Sequence, residues 1–353
     1  MAPRLTPTAR TIYEQCCGAQ EMIGAIQNLV RAADAAVARA YLSVLPEKDG
    51  LLCFLFHSLF RDERQIEQNA VNPLERTTVA QFRELIEYYL AIGYRFIVPG
   101  ELLEGLKPDG KYAMITFDDG YYNNLQALPV LEELDVPAIF FISTKHIARN
   151  KCFWWDVFYR EQIARGVPAR QVHRQTVHWK SMRTEDIERE LLSRFGPNSL
   201  KPRGDIDRPF TAAELRTFAQ NKYVHLGNHT ADHAILTNYC AAQVREQVSS
   251  AQEWLAEIIG RPPVAIAYPN GAHNDRVVDI CAQAGLKIGF TIRPGKMKLP
   301  IQVNSRRMMR VNRFVPHAES PILSQCRTYR SDLQIYAMLR GGYLRLRPGR
   351  PGQ

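Results

Sequence analysis

Short hydrophobic runs alternate with longer amphipathic stretches through the middle of the chain. The segment Val79–Leu90 has apolar residues at positions 82, 85, 86, 89 and 90, and this spacing predicts a helix with one buried face. The short runs between such helices are apolar on both faces, which is typical of buried parallel strands. The predicted strands are 51–56, 94–98, 113–117, 138–143, 223–226, 264–268 and 288–292. The other predicted helices of this region are 125–134, 240–259 and 275–285.

The regular alternation of strands and helices indicates parallel strands joined by crossover helices. We therefore predict the α/β class and a distorted (β/α) barrel of about seven parallel strands over residues 49–320. Residues 150–222 interrupt the alternation, are rich in Arg, His and Trp, and contain the helical pattern 184–194, so we interpret them as an inserted helical lid. Residues 1–48 contain an alanine-rich stretch that predicts a helical N-terminal extension. Residues 321–353 form a basic C-terminal tail.

The composition is that of a soluble globular protein, with 46% hydrophobic and 23% charged residues in a chain of 353. The longest apolar run near the N-terminus, Leu51–Phe56, is far shorter than the roughly 20 residues that a membrane span needs. No secretory signal pattern opens the sequence, so we expect the cytoplasm as the compartment. The seven cysteines are odd in number and include no CxxC pair, which predicts neither a disulfide framework nor a zinc ribbon.

Positive charge is concentrated at the C-terminal end of the chain. From Lys287 onward there are fourteen Lys and Arg against two acidic residues, a net charge of +12, whereas the whole chain carries +9. Such asymmetry suggests an anionic partner, and the alternation of Leu and Arg at 344–347 suggests peripheral contact with an anionic membrane. The alternative is a tail that is only solvated, and we expect no nucleic-acid partner. The arginines that would contact lipid are Arg340, Arg345, Arg347 and Arg350.

Polar residues of catalytic type follow several of the predicted strands directly. The first strand is followed by His57, the third by Asp118 and Asp119, and later strands by the segments 227–233 and 268–271. In parallel α/β folds the carboxyl ends of the strands share one rim, so we expect these groups to lie together. Adjacent carboxylates repel each other and lose solvation when buried, and a cation, a proton or strong donors must offset that cost.

His229 and His233 are four residues apart, a spacing that one helical turn would place on one face. Two imidazoles so arranged suit a divalent transition metal, although the pair alone is a weak signal because it often arises by chance. A carboxylate from another strand end strengthens the prediction. Two histidines and one carboxylate hold a metal on one side and leave positions open for water and substrate.

Two motifs carry a resemblance to a known family. The sequence TFDDG at 116–120 and the sequence HTADH at 229–233 resemble the polysaccharide deacetylase superfamily, the NodB-homology or carbohydrate esterase family 4 enzymes. Three further stretches are similar to the branch of biofilm poly-N-acetylglucosamine deacetylases: LCFLFHSLF, VPAIFFIS and IAYPNG. The resemblance covers about residues 50–315. It implies that Asp118 is the general base.

The resemblance also implies that Asp119, His229 and His233 are the metal ligands. Zinc is the expected ion, with cobalt, nickel or manganese as alternatives. Many family members carry an arginine in the third motif that orients the base, whereas this chain has Ala-Tyr-Pro-Asn-Gly at 267–271. Arg310 is the residue that we expect to supply this guanidinium.

The resemblance to the biofilm branch further implies that His57, at the end of the first strand, is the general acid, with His317 as the competitor. Asn270 and Tyr268 are expected at the substrate and oxyanion position, the backbone N–H of Asn270 being a candidate donor. Trp154 and Trp155 are interpreted either as core packing or as a wall that stacks on a sugar.

These expectations combine into metal-dependent removal of an N-acetyl group from a sugar in a glycan, glycolipid or surface-polysaccharide precursor. The alternatives are a deformylase or another amide hydrolase acting on a modified sugar, and a non-catalytic sugar-binding module. A non-haem iron oxygenase also uses two histidines and a carboxylate. It normally takes His-x-Asp from one element of a jelly roll, which does not fit alternating strands and helices.

Overall fold

The computed structural model describes residues 29–318 and 320–331. The chain divides into two compact units, one formed by Asp49–Leu323 and the other by Met1–Lys48 together with Ser324–Gln353. The predicted contacts of the basic tail with lipid fall beyond residue 331 and lie outside the described residues, as does the first part of the predicted N-terminal extension.

The larger unit is built on one sheet of seven strands, whose paired strands all run parallel, as predicted for the α/β class. The strands are β1 Gly50–Phe56, β2 Arg95–Phe96, β3 Lys111–Phe117, β4 Ala138–Ile142, β5 Val224–Asn228, β6 Ala265–Ala267 and β7 Ile288–Phe290. Their order is β1-β3-β4-β5-β6-β7, with β2 paired to β3. All seven predicted strands are confirmed, with ends that differ by at most a few residues.

The register of the central strands fixes the position of the polar residues that follow them. β1 pairs with β3 along its whole length, from Gly50 opposite Lys111 to Phe56 opposite Phe117. On β3, residues 112–113 pair with β2 and residues 115–117 with β4. Because β1 and β3 end at the same level, the residues that follow them emerge side by side at the carboxyl rim.

A short segment after β7 joins the two ends of the sheet. The N–H of Val311 donates to the carbonyl of Gly289 at 2.7 Å, and the N–H of Phe314 donates to the carbonyl of Cys53 at 2.8 Å. Residues 311–314 therefore bridge β7 to β1 and close the sheet into a distorted barrel. The hydrophobic pattern did not predict this element, since its pairing consists of isolated bridges and not of a continuous strand.

Helices occupy the connections between the strands, and within the described residues one further helix precedes β1 and one follows β7. They are α1 over residues 29–44, α2 Glu63–Glu67, α3 Val79–Ala91, α4 Pro99–Glu104, α5 Leu128–Leu134, α6 Thr144–Arg149, α7 Trp154–Ala164, α8 Ala169–Trp179, α9 Thr184–Phe195, α10 Ala212–Ala219, α11 Ala241–Ile259, α12 Asp275–Gln283 and α13 Ile322–Arg330. α3 confirms the amphipathic prediction, burying Phe82, Leu85, Ile86 and Tyr89. The predicted helix 125–134 divides into a 3₁₀ turn and α5, because Pro129 lacks an N–H and fits only the first turn of a helix.

The inserted region 150–222 is helical, as predicted, and contains α7 to α10. Helices α7, α8 and α9 contribute to a hydrophobic cluster that includes Trp154, Trp155, Phe158 and Trp179. Trp154 is 4% exposed and Trp155 is 9% exposed, so both pack in the protein and neither forms an open wall for sugar stacking. None of the helices within the described ranges is both long and apolar enough to cross a membrane.

The described part of the smaller unit consists of α1 with its following residues and the greater part of α13. Within this unit, Arg330 Nη2 lies 2.9 Å from Glu47 Oε2. The helix α1 agrees with the helical extension that the alanine-rich sequence predicted, for the part of that extension which the structure describes.

Candidate active site

Asp118 follows β3 directly, and its carboxylate is held by a buried arginine. Arg313 donates from Nη1 to Asp118 Oδ1 at 2.7 Å and from Nη2 to Oδ2 at 2.8 Å. The same guanidinium donates from Nε to the carbonyl of Thr291 at 2.9 Å and from Nη1 to Thr116 Oγ1 at 3.0 Å. Arg313 is fully buried, so this two-point contact is shielded from solvent and fixes both partners.

The prediction that Arg310 orients the base is therefore wrong. Arg310 lies in a 3₁₀ turn, Met308–Arg310, which precedes the closing segment, and its guanidinium pairs with Asp275 at the start of α12. Arg313 stands between the two backbone bridges of Val311 and Phe314, and this position directs its side chain to Asp118 inside the barrel.

The electrostatics of Asp118 favour the charged form. Burial alone would raise the pKa of this carboxyl, but the positive charge of Arg313 and the hydrogen bonds that it donates hold the pKa below its ordinary value. Asp118 is thus an ionised carboxylate at neutral pH, with both of its oxygens held by the guanidinium.

Asp119 has the opposite environment. Its carboxylate is 1% exposed, and neither Oδ1 nor Oδ2 has a hydrogen-bond partner among the residues that the structure describes. His229 Nε2 lies 3.3 Å from Asp119 Oδ1, and His233 Nε2 lies 3.4 Å from the same oxygen. A bare buried carboxylate is costly, and a divalent cation is a partner that fits two imidazole nitrogens and one carboxylate oxygen. These three side chains form the only such group found among the described residues, with ligand atoms within 4.8 Å of one another.

Backbone conformation at the strand end places Asp119 in this position. The φ of Asp119 is 79° and that of Gly120 is 91°, so two consecutive residues occupy the left-handed region. The reversal separates the two carboxylates, with Asp118 turned toward Arg313 and Asp119 toward the histidines. Gly120 serves the sharp turn as predicted, since a Cβ there would lie 3.2 Å from a side-chain atom of Ile142.

His229 is oriented by the sheet itself. Its Nδ1 lies 2.8 Å from the carbonyl oxygen of Ala267 at the end of β6. Because a carbonyl only accepts, Nδ1 carries the proton and the lone pair of Nε2 faces Asp119.

His233 reaches the same point by a route that differs from the predicted helical turn. Residues 229–233 form an irregular bend, in which Thr230 has φ 63° and His233 has φ 51°. The side chain of Thr230 accepts from the N–H of Ala234 at 2.9 Å, which competes with a helix at this point. Burial holds the pKa of His233 well below its ordinary value, and the neutral imidazole that results is the form that binds metals.

His57 follows β1 and is paired with a carboxylate, that of Glu75, which no sequence motif singles out. Its Nδ1 lies 3.0 Å from Glu75 Oε1, and its carbonyl accepts from Asn124 Nδ2 at 2.6 Å. Burial alone would lower the pKa of His57, but Glu75, with smaller contributions from Asp119 and Asp118, raises it to about 9. His57 is therefore protonated at neutral pH in this environment.

His317 lies beside Ala318, whose N–H donates to the carbonyl of Glu75 at 2.9 Å. It therefore adjoins the loop that carries Glu75, while the ring of His57 is the one paired with the Glu75 carboxylate. The choice of His57 over His317 as general acid stays a prediction.

Tyr268 and Asn270, predicted at the substrate position, differ in accessibility. The hydroxyl of Tyr268 is buried and donates to the carbonyl of Met309 at 3.0 Å, and a Cβ at Gly289 would lie 2.4 Å from it. The side chain of Tyr268 therefore belongs to the core, which corrects its assignment to the substrate. Asn270 is exposed, and its Oδ1 accepts from Lys180 Nζ at 3.0 Å, so the inserted region reaches this part of the rim.

The arrangement agrees with comparisons to known proteins. The sequence profile of the family described as polysaccharide deacetylase matches residues 105–289, which include both aspartates and both histidines of the site. The chain belongs to the polysaccharide deacetylase family. The description of this family names deacetylation of polysaccharides as the reaction of its members.

A curated relative of this chain is distant in sequence. YxkH of Bacillus subtilis (strain 168), a protein assigned to the polysaccharide deacetylases, is 22% identical over 208 residues, which are 58% of this chain and 54% of YxkH. The chain thus spans about half the length of this curated relative.

Two solved structures share the fold. The Streptococcus pyogenes deacetylase PplD, in complex with acetate, is 17% identical with a TM-score of 0.53, over 80% of this chain and 99% of PplD. IcaB from Ammonifex degensii is 16% identical with a TM-score of 0.54, over 81% of this chain and 99% of IcaB.

Proposed function

We propose that the protein is a metal-dependent N-deacetylase that hydrolyses the acetamide of an N-acetylated sugar in a glycan, glycolipid or surface-polysaccharide precursor. One observation carries the proposal, namely the different environments of the two adjacent aspartates. Asp118 is fully paired with Arg313, whereas the buried oxygens of Asp119 have no hydrogen-bond partner among the described residues and face two histidines. A base and a metal ligand need these two environments respectively.

Asp119, His229 and His233 would hold the cation, with zinc as the first candidate and cobalt, nickel or manganese as alternatives. A divalent cation bound there would act as a Lewis acid on the attacking water and on the acetamide oxygen. The three protein ligands come from the ends of β3 and β5 and leave the remaining coordination positions to water and substrate.

The residues of the chain supply the proton transfers. Asp118, kept ionised by Arg313, accepts a proton from the water whose oxygen bonds to the acetamide carbon. His57, protonated through its contact with Glu75, donates its Nε2 proton to the amide nitrogen as the C–N bond breaks. The products are acetate and the free amine of the sugar, and the protons balance because one is taken from water and one is given to the amine.

A deformylase would use the same groups on a smaller acyl chain, and a non-catalytic module would bind the sugar without turnover. The test is release of acetate and of formate from a panel of nucleotide-linked, lipid-linked and oligomeric N-acyl sugars, with the Asp118→Asn variant as the inactive control. Acetate release that depends on Asp118 supports the proposal. Formate release alone would favour the deformylase, and absence of both products across the panel would favour the binding module.

A finer proposal is that the substrate is lipid-linked and is reached by peripheral contact with the cytoplasmic face of an anionic membrane. The net charge of +12 from Lys287 onward supports it, since each basic residue near an anionic surface contributes about 1 kcal/mol. Co-sedimentation with phosphatidylserine vesicles, with and without residues 338–353 and at low and high salt, tests this. Binding that persists after the truncation would count against the tail as the anchor.

A further inference from the structure

A buried carboxylate in the inserted region lies at the centre of a hydrogen-bond network beside the site. Asp156, in the first turn of α7, is completely buried, and its Oδ2 accepts from the Tyr121 hydroxyl at 2.6 Å. The indole N–H of Trp155 donates to the same hydroxyl at 2.9 Å. Tyr121 lies two residues after Asp119, so this network fixes the far side of the turn that presents the predicted metal ligand.

The second oxygen of Asp156 binds a different loop. Oδ1 accepts from the backbone N–H of Asn72 at 2.8 Å, and the side chain of Asn72 in turn accepts from the N–H of Leu74 at 3.2 Å. The next residue is Glu75, the partner of His57. The Asp156 carboxylate therefore binds both the turn that contains Asp119 and the loop that carries Glu75, the partner of the predicted acid His57.

The ring of Trp155 adds a third contact. Its centroid lies 4.6 Å from that of His233 at an interplanar angle of 63°, and Phe153 stacks on it at 4.8 Å. Phe153 also stacks on His146 at 4.1 Å. The imidazole of His233 is therefore packed against an aromatic layer that belongs to the inserted region.

We propose that Asp156 and Trp155 are positioning residues through which the inserted region holds the predicted metal ligands and the Glu75–His57 pair in one arrangement. The inference rests on the proposed function for the identity of that arrangement. A purely apolar residue at position 156 would fill the same space more cheaply, because an isolated buried carboxylate loses its hydration. Unlike an apolar side chain, a carboxylate can accept hydrogen bonds from two separate loops at once.

The environment of Asp156 disfavours its ionised form. Burial, opposed by the hydrogen bonds from Tyr121 and Asn72 and reinforced by the charges of Asp119 and Asp207, raises the pKa of Asp156 to about 7. Such a group weakens the fold on ionising, which suits a residue retained for the site more than one retained for stability.

Two variants separate the two halves of the network. Asp156→Asn keeps the shape but leaves one acceptor oxygen in place of two, so either Tyr121 or Asn72 faces an amide NH₂. Tyr121→Phe removes only the hydroxyl and breaks the link to the turn of Asp119, while Asn72 stays bound. Asp207→Asn is the matched control, since Asp207 is an equally buried carboxylate that pairs with Arg160 of the same helix.

The experiment measures three quantities on the purified full chain. They are the zinc Kd by competition with a chromophoric chelator, the Tm, and the ratio of turnover on an acetamide sugar to turnover on an aryl acetate ester. The amide-to-ester ratio of turnover reports on the predicted general acid, His57, because the phenolate of an aryl ester leaves without needing a proton. The zinc Kd is independent of turnover, so a chain that binds zinc but releases no acetate would refute the proposed function and still test this inference.

For Asp156→Asn we expect the zinc Kd to rise about tenfold or more and the amide-to-ester ratio to fall about tenfold or more, in the range typical of groups that orient ligands. Tyr121→Phe should raise the Kd and leave the ratio nearly unchanged, and Asp207→Asn should lower the Tm alone. An Asp156→Asn protein that behaves like Asp207→Asn overturns the inference. If Asp156→Asn does not fold, Tyr121→Phe and Trp155→Phe decide, and an unchanged Kd in both overturns it.

Discussion

Arg313 and Asp118 form a buried two-point ion pair, with Nη1 2.7 Å from Oδ1 and Nη2 2.8 Å from Oδ2, although 195 residues separate them in the chain. The pair is possible because the closing segment of the barrel passes beside the end of β3. It answers the question that two adjacent aspartates raise, since one of them is neutralised by the protein itself and the other is left for a cation.

Because Arg313 donates two hydrogen bonds to the Asp118 carboxylate, lysine should not be able to replace it. An ammonium group is a point charge and cannot reproduce the bidentate geometry, so Arg313→Lys should keep the zinc Kd within a few-fold and lose turnover by roughly tenfold or more. Removing the charge in Arg313→Met leaves a buried unpaired carboxylate and should cost roughly 3–5 kcal/mol of stability. Kinetics and chemical denaturation check both results. Arg310→Met is the control, and a larger loss of turnover in that variant would restore Arg310 to the site.

Asp118 and Asp119 should separate chemistry from metal binding. We expect Asp118→Asn to keep its metal and to lose turnover by roughly 10²–10⁴, the usual worth of a general base. Asp119→Asn should lose metal and turnover together, because an amide oxygen is a poorer ligand than a carboxylate. Metal content by mass spectrometry and acetate release give the comparison. Equal metal loss in the two variants would contradict the assigned roles.

The pH dependence of turnover should report the pair of His57 and Glu75. The folded pKa of His57 is raised to about 9, so its acid form is present below that pH and is lost as the pH rises through it. In Glu75→Gln the carboxylate that offsets burial is gone, and the alkaline limb should move to lower pH by about 1–3 units. A bound cation lowers the pKa in both proteins alike, so the difference between their profiles is diagnostic.

Variants of the two histidines complete that test. His57→Ala should remove the alkaline limb, while His317→Ala should leave it in place. If instead only His317→Ala removes the limb, then His317 is the acid and the contact with Glu75 serves another purpose.

The parts of the site that sequence predicts are those at which a buried strand stops abruptly. β1 is a continuous apolar run, and β3 is buried from Tyr112 to Phe117. His57, Asp118 and Asp119 follow these strands directly, so strand pattern and topology place them at one rim. His229 follows β5 in the same way. This logic needs no knowledge of side-chain conformation.

The roles of residues in irregular segments cannot be predicted from the strand pattern. Arg313 lies in a segment with only isolated backbone bridges, and in the sequence MMRVNRF nothing favours it over Arg310. Glu75 lies in a loop and gains its role only through its contact with His57. Asp156 looks like any acidic residue in the first turn of a helix, where carboxylates are common, and its two long-range hydrogen bonds have no local signature.

The bare carboxylate of Asp119 should weaken the metal-free protein. Its two oxygens are buried, unpaired within the described residues and costly to desolvate, so Asp119→Asn should raise the Tm of the chelator-treated protein. Asparagine is the better substitute here because it tolerates the φ of 79°, and its NH₂ can donate to the Nε2 lone pair of His229. Measurement at pH 8 keeps His233 neutral, because burial holds its pKa well below the ordinary value, and this removes a competing ion pair between His233 and Asp119.

Zinc should reverse the order of the two melting temperatures, so that the wild type melts above Asp119→Asn. It should stabilise the wild type by about 2.7 kcal/mol when present at 100 times its Kd, and it should leave Asp119→Asn almost unchanged. Asn270→Gly, at an exposed residue of the same rim whose φ of 56° glycine tolerates, is the control and should follow the wild type in both states. A metal-free Asp119→Asn protein that melts well below the metal-free wild type would show that the Asp119 carboxylate already has a stabilising partner, and the case for a cation at this position would lose its main support.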